Sequence, residues 1–108
     1  MRGVQNVRAL ERIIKGFASH RRLAILDLLS REPELSVEQI AEKAEIGYEN
    51  ASDHIRKMAI AGLVAKRHEG PTVHHKLTAR AEAILVFCKK LEYLVGCGHG
   101  RGQKLSRA

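Results

Sequence analysis

The feature that most constrains this fold is a change in apolar spacing at residue 62. From residue 48 to residue 61 the apolar residues recur at helical spacing, with Ala51, Ile55 and Met58 on one side. Gly62 follows, where a left-handed residue commonly ends a helix. Two extended runs, LVAKRH and TVHHKL, come next and are joined by EGP, which is typical of a hairpin turn. The sequence therefore predicts a helix that leads directly into a β-hairpin.

Four further helices are predicted around this unit. The first carries apolar residues at every third or fourth position: Val4, Val7, Leu10, Ile14 and Phe17. Ser19 can cap a second helix, which is apolar on nearly all sides and should be central and buried. Ser36 and Gln39 have the spacing of a capping box and begin a short third helix. Thr78 can cap the last helix, whose apolar face is wider than a single core contact requires.

The resulting order is helix, helix, short helix, tight turn, helix, hairpin, helix. This is the order of a winged helix-turn-helix, so the fold class is mainly α with a small β-hairpin, five helices plus the wing. The domain should span residues 1–95. Residues 96–108 have glycine at every second position from 96 to 102 and no apolar period, which predicts a disordered basic tail. In this fold the fourth helix enters the major groove of DNA and the hairpin flanks it.

The charge balance favours a polyanionic partner. Nineteen Lys and Arg against 12 Asp and Glu give a net charge of +7 over 108 residues, which suits nucleic acid or an anionic membrane. No apolar run approaches the roughly 18 residues of a spanning helix, and the first residues lack a signal-peptide pattern. Two cysteines are too few for a disulfide framework and fit a reducing compartment. We therefore expect a cytoplasmic protein that binds double-stranded DNA and no membrane.

Three segments resemble the arsenic-repressor-like (ArsR-type) winged-helix regulators of prokaryotes: FASHRRLAILDLL, LSVEQIAEKAEIGYENASDHIRKMAIAGLVAKRHEG and VHHKLT. The resemblance runs from about Leu10 to Leu94. Its most specific part is ASDHIRKMAIAGLVAKRHEG, in which a Ser-x-His-Ile helix leads into Ala-Gly-Leu-Val and a basic wing. The resemblance implies homodimers that bind operator DNA and repress transcription, with the first and last helices at the dimer interface.

The chain departs from the metal-sensing members of that family. Those members open the third helix with a Cys-x-Cys pair, where this chain has Ser36 and Glu38. Cys97 and His99 could bind a soft metal together with Cys88 or a second chain. However, Cys88 lies on an apolar stripe, where a buried thiol is the usual interpretation. We predict no metal site and no cofactor. We also predict that the protein is not an enzyme, since no nucleophile–base pair or phosphate-binding glycine loop occurs.

The polar face of the fourth helix carries the predicted contacts with base edges: Tyr48, Asn50, Ser52 and Asp53. Phosphate contacts are predicted for Arg56, Lys57, Lys66 and Arg67, and also for Arg21 and Arg22. His54 falls at the family's histidine position and is expected to face DNA, although it could instead pack and hydrogen-bond beside the helix. Strand alternation sends Lys66 and His68 to one face of the wing and Arg67 to the other.

The acids Glu49 and Asp53 leave two interpretations open. They could form a solvated face with a weak Asp53–Lys57 pair, or they could accept hydrogen bonds from cytosine N4 and repel wrong sites. The same acids favour an alternative function, a winged-helix module that binds a protein partner, which the charge of +7 opposes. A third version is a repressor that responds to a metal or a small molecule.

A homodimer is also predicted from the apolar stripes of the first and last helices, because a large exposed apolar patch usually marks an interface. Its residues should be Val7, Leu10, Ile14, Phe87, Leu91 and Leu94. Two recognition helices would then enter successive major grooves about one helical turn apart, on a roughly palindromic operator.

Overall fold

The computed structural model of the chain describes residues 3–99, with the backbone alone at residues 96–99. The helices are α1 (Val7–Phe17), α2 (His20–Arg31), α3 (Val37–Ala44), α4 (Tyr48–Ile60) and α5 (Ala79–His99). The strands β1 (Val64–Glu69) and β2 (Thr72–Leu77) pair in an antiparallel hairpin between α4 and α5. The element order and the winged helix-turn-helix architecture predicted from the sequence are confirmed.

Side-chain caps fix where α1, α2, α3 and α5 begin. Ser19 Oγ accepts from Arg22 N at 3.1 Å, and Thr78 Oγ1 accepts from Ala81 N at 3.2 Å. Both halves of the predicted capping box are present between Ser36 and Gln39. The first helix begins at Val7 because the side chain of Asn6 caps it, a role the apolar stripe did not indicate. Val4, which was assigned to that stripe, therefore precedes the helix.

Two left-handed residues set the geometry on either side of α4. Glu45, at φ 57°, ends α3 in the tight turn of the helix-turn-helix, although it is not a glycine. Gly62, at φ 80°, follows α4 as predicted, and Leu63 N donates to Met58 O at 2.9 Å. Glycine suits this second position because it adopts positive φ without a steric penalty. The chain thus turns out of α4 directly into the wing.

The sheet includes one pairing that the sequence did not predict. Leu35 forms an isolated bridge with His75, and Leu35 O accepts from His75 N at 2.9 Å. Glu34 N donates to His75 O at the same distance. The segment before α3 therefore lies along the edge of β2. A pairing one residue long produces no periodic pattern, so nothing in the sequence indicates it.

The core confirms the central position of α2. Ile25, Leu26 and Leu29 of this helix are almost fully buried, against side chains from α3, α4 and the hairpin. Gly16 of α1 packs directly on Ala61, so closely that a Cβ at residue 16 would overlap the Cβ of Ala61. This glycine lets α1 approach the end of α4.

The fifth helix is longer than expected, since it continues to His99 where the sequence placed the domain boundary at residue 95. Adding a glycine to a helix that is already formed costs only about 1 kcal/mol, so Gly96 does not end it. The rest of the predicted tail, residues 100–108, lies outside the described residues. No helix within residues 3–99 is both long and apolar enough to cross a membrane.

Candidate nucleic-acid interface

The outer face of α4 carries the residues predicted to read bases. Its inner side chains, Ala51, Ile55 and Met58, are buried in the core. In the first turn of the helix Tyr48 and Asn50 are exposed, with 55% of the tyrosine surface accessible. Ser52 and Asp53 are half-buried. The N-terminal part of α4 therefore presents Tyr48 and Asn50 most openly.

Asp53 is engaged by two cations of its own helix. Its carboxylate forms a salt bridge with Arg56 and a second one with Lys57, in which Nζ and Oδ2 are 3.3 Å apart. Desolvation acts to raise the pKa of Asp53, but the hydrogen bond and charge of Lys57 and the charge of Arg56 outweigh it and lower that pKa. The carboxylate is thus held ionised beside its partners. The Asp53–Lys57 pair required by the solvated-face interpretation is present.

His54 is half-buried and hydrogen-bonded to another helix. Arg22 Nε donates to His54 Nδ1 at 3.0 Å, which leaves Nε2 as the nitrogen that carries the proton. Burial lowers the pKa of His54, and the positive charge of Arg22 lowers it further. The histidine is therefore neutral near pH 7. The sequence allows two alternatives for His54, contact with DNA or packing with a hydrogen bond beside the helix, and this arrangement corresponds to the second.

Arg22 connects three helices and does not project freely into solvent. Besides its bond to His54, its Nη1 donates to Lys15 O near the end of α1 at 3.0 Å. An arginine at this position satisfies a carbonyl that the helix itself cannot pair. Arg21, the neighbouring residue, is exposed and makes no salt bridge within the described part of the chain. Of the two arginines, Arg21 is the one open to a phosphate.

On the wing, Arg67 lies in an ion-pair network. Its Nε and Nη2 donate to Glu34 Oε1 at 3.0 and 2.8 Å, and its Nη1 lies 3.3 Å from Glu69 Oε1. The hydrogen bond from Arg67 is the main cause that lowers the pKa of Glu34, and the same bond raises the pKa of Arg67. The sequence missed Glu34 because it is 33 residues away from Arg67.

The two faces of the hairpin alternate as predicted. Arg67 pairs across the strands with His74, and Lys66 pairs with His75. His74 shares the network, with Nε2 3.2 Å from Glu69 Oε1 and Nδ1 3.0 Å from Glu34 O. Lys66 is exposed and makes no salt bridge within residues 3–99. Of Lys66 and Arg67, Lys66 is therefore the one whose charge is not paired within the described residues.

His75 has a structural role. It is 1% exposed, and its Nδ1 donates to Leu35 O at 2.9 Å. Burial lowers its pKa, against the opposing effect of the hydrogen bond with Leu35. A neutral histidine thus joins β2 to the segment before α3.

A wide apolar face lies on α1 and α5. All six residues predicted for the dimer interface are exposed: Val7, Leu10, Ile14, Phe87, Leu91 and Leu94. A groove of about 360 Å³ runs between the two helices, with Leu10, Ile14 and Phe87 among its lining residues. Phe87 is 57% exposed and Leu94 67%. Side chains of this size are normally buried, so this surface is suited to a protein partner.

Cys88, Cys97 and His99 are the residues that the sequence raised as candidate metal ligands. No group of three or more His, Cys, Asp or Glu side chains comes together in the described residues in a way that could hold an ion. Ser36 caps α3, and Glu38 lies in its first turn. Cys88 is partly buried, and desolvation raises the pKa of its thiol. The side chains of Cys97 and His99 lie outside the described residues.

Comparisons with known proteins agree with this architecture. A family described as a helix-turn-helix domain matches residues 17–67. The chain is similar to the transcriptional regulator HlyU of Vibrio vulnificus, with 31% identity, 81% of this chain and 91% of that chain covered, and a TM-score of 0.67. It is also similar to HlyU of Vibrio cholerae, with 29% identity, coverage of 82% and 97%, and a TM-score of 0.71. No curated protein sequence matches the chain.

A third similar structure is the homodimeric winged helix-turn-helix DNA-binding domain of a possible ArsR-family transcriptional regulator from Mycobacterium bovis. It shares 26% identity, covers 85% of this chain and 90% of its own, and has a TM-score of 0.73. The fold, the exposed face of α4 and these similarities define a winged helix-turn-helix transcription regulator of the DNA-binding class. Within that class the chain belongs to the ArsR-type family.

Proposed function

We propose that this regulator is a homodimeric repressor that acts in the cytoplasm and recognises a palindromic operator by sequence. The observation that carries the proposal is the pairing of two surfaces on one small domain. One is the exposed polar face at the start of α4, and the other is the exposed apolar face of α1 and α5. A recognition surface together with a self-association surface is what a two-fold symmetric binding site requires. The proposed role is regulatory and not enzymatic.

The dimer rests on the size of the apolar face. Leu91 and Phe87 are about half exposed, at 48% and 57%, although they lie on the longest helix of the domain. A second copy would remove this surface from water at a gain of roughly 25 cal/mol per Å² of apolar area. The similar domain from Mycobacterium bovis is described as homodimeric.

In operator recognition, some residues would read base edges and others would position the protein on the phosphates. Asn50 is exposed and can pair bidentately with adenine N6 and N7. Lys66 on the wing and Arg21 on α2 are exposed and have no acidic partner among residues 3–99, so they would fix the register on phosphates. Asp53 would act indirectly, because its salt bridges orient Arg56 and Lys57 along the helix.

Selection of bound sites from a random DNA pool tests this function directly. The expected product is a palindrome with two half-sites about one helical turn apart. Single half-sites would contradict the symmetric dimer, and a pool without enrichment would contradict sequence-specific recognition.

One observation favours a second candidate, a winged helix that binds a protein partner. Three cations near the proposed interface, Arg56, Lys57 and Arg67, are already paired with acids. Such pairing weakens the attraction to phosphate. The two candidates separate at low salt, where a DNA-binding domain with this net charge should bind any duplex and a protein-binding module should not.

A further inference from the structure

A basic groove lies between α1, the end of α4 and the start of α5. Its volume is about 590 Å³, within the range of small-molecule sites. Among the described residues no acidic side chain lines it. Five cationic side chains do so: Arg12, Lys15, Arg22, Lys57 and Arg80. None of these lining positions belongs to the exposed face at the start of α4.

Apolar residues also line this groove. They are Ala9, Ile13, Ile60 and Ala61, and the contact of Gly16 with Ala61 holds α1 against the end of α4 there. Ile60 is 76% exposed, which is unusual for an isoleucine beside several charges. A phosphodiester has no apolar part that would cover this surface. A ligand with a hydrocarbon body would do so.

Two of the arginines are held in place by helix ends. Arg80 Nη1 donates to Ala61 O at 2.9 Å, and Arg22 Nη1 donates to Lys15 O at 3.0 Å. Arg12 makes no salt bridge with any described residue, so its charge is uncompensated. Among the described residues, Lys15 and Lys57 pair only with acids on their own helices, the exposed Glu11 and the half-buried Asp53. The groove therefore combines fixed donors with one cation that lacks a partner.

From this combination we infer that the groove binds a small amphipathic anion, an organic carboxylate whose hydrocarbon part covers Ile13 and Ile60. The carboxylate accepts charge-assisted hydrogen bonds from Arg12 and from a neighbouring cation. Arginine matches this group well because its planar fork can donate to both oxygens. Apolar cover and a paired charge are both needed, so neither a neutral hydrocarbon nor a bare anion should bind as well.

The groove is connected to the recognition helix through two of its cations. Lys57 reaches Asp53, and Arg22 reaches His54 Nδ1 at 3.0 Å. A carboxylate in the groove competes with Asp53 for Lys57. It also competes with His54 for the hydrogen bond from Arg22. If α4 reads DNA as proposed, ligand and DNA each change the affinity of the other by the same factor. This coupling rests on the proposed function, whereas the binding site itself does not.

The binding test uses the full chain without DNA and sodium octanoate as the probe. Two-dimensional NMR should give saturable shifts at the groove residues and at the His54 ring. Octanol and inorganic phosphate, which each carry half of the required chemistry, should bind at least about tenfold more weakly.

Substitutions then locate the site. Arg12→Gln and Ile60→Asn should each weaken octanoate binding by about tenfold or more, since both residues are exposed and their loss leaves the core intact. Arg31→Gln is the control. Arg31 lies at the C-terminal end of α2, far along that helix from the groove residue Arg22, so this variant removes the same charge outside the groove and should leave binding unchanged. Equal binding of phosphate, an unaffected Arg12→Gln variant, or shifts confined to the apolar face of α1 and α5 would each overturn the inference.

A DNA titration with and without saturating octanoate tests the coupling separately. A changed DNA affinity supports it. An unchanged affinity, with octanoate still bound, removes the coupling and leaves the site. Failure to bind DNA in either condition contradicts the proposed function and has no bearing on the site.

Discussion

At the scale of single residues, the cations near the proposed DNA surface differ in how they are held. Arg67 is bound to Glu34 and Glu69, whereas Lys66, its neighbour on the wing, is exposed and unpaired within the described residues. The sequence assigned both to phosphates with equal weight. The ion pairs make Lys66 the expected wing contact, since Arg67 would have to leave its carboxylate partners before it could bind DNA.

Asn50 and Lys66 should affect DNA binding in different ways. Asn50→Ala should remove roughly 1–3 kcal/mol of discrimination at one base pair per half-site and leave the salt dependence nearly unchanged. Lys66→Ala should weaken all sequences similarly and lower the salt slope by about one per lost phosphate contact. Site selection and salt titrations on both variants measure this division. An unaltered selected site for Asn50→Ala would show that Asn50 does not read a base.

His75 should make the fold sensitive to acid. Burial lowers the pKa of His75 in the folded protein, whereas a histidine in the unfolded chain titrates at about pH 6.5. Below that pH the unfolded state binds more protons, so the free energy of unfolding decreases as pH falls towards the lowered folded-state pKa. The contribution of neutral His75 to the free energy of unfolding is fully present above about pH 6.5. His54, whose pKa is also lowered, adds to the same trend.

Denaturant unfolding across this pH range measures the effect. His75→Asn should lower stability at neutral pH and reduce the loss of stability on acidification, because the group that titrates has been removed. His68→Asn, on the exposed wing, is the matched control and should retain the pH dependence of the parent protein. An identical slope in His75→Asn would show that buried His75 is not the source.

At the scale of elements, the Glu34–Arg67 pair joins the wing to the segment between α2 and α3. Glu34 has φ 67° and pairs through its backbone with His75, so its position is set by the sheet edge. The side chain extends from there to Arg67 at 2.8 Å. This contact holds the wing against the helix-turn-helix and also neutralises one of its basic residues.

Breaking that pair should release Arg67 towards DNA. Glu34→Gln keeps the size and the backbone preferences of the side chain and removes its charge, so DNA affinity should rise, by at most about fivefold for an exposed pair. The salt slope should become steeper because Arg67 can then neutralise a phosphate. Glu69→Gln, which leaves the closer Glu34 contact in place, should have a smaller effect. A fall in affinity would mean that DNA binding depends on the anchored wing.

At the scale of the whole molecule, the apolar face of α1 and α5 decides the assembly. Leu91→Glu places a charge at its centre and should give a folded monomer with weakened operator binding, since Leu91 is 48% exposed in the single chain. Sedimentation and circular dichroism distinguish a monomer from an unfolded chain. Tyr93→Glu is the control, because residues two apart do not share a helix face. A dimeric Leu91→Glu variant would remove this face from the interface.

The net charge of +7 also acts through the whole molecule. If a dimer neutralises on the order of six to ten phosphates, affinity should fall about 10³- to 10⁵-fold between 50 and 200 mM salt. Fluorescence anisotropy with a labelled duplex measures this fall. A flat response would favour the protein-binding candidate instead.

The elements of the fold were predictable because their signals are local. Ser19 and Ser36 cap the helices that follow them, and Gly62 adopts the left-handed conformation that ends α4. Each of these features depends on residues within about one turn of helix. The apolar stripe of α4 likewise indicates which face of that helix is buried without reference to the rest of the chain.

Only the tertiary structure decided how the polar side chains are used. Arg22 reaches His54 across 32 residues and Arg67 reaches Glu34 across 33, and in both cases packing brings together groups with no common local pattern. The bridge from Leu35 to His75 and the basic groove between α1 and α4 arise in the same way. The sequence by itself determined the order of the elements, since backbone conformation follows from neighbouring residues. The pairing of charges was decided by the tertiary structure, because it depends on distances that exist only after the helices have packed.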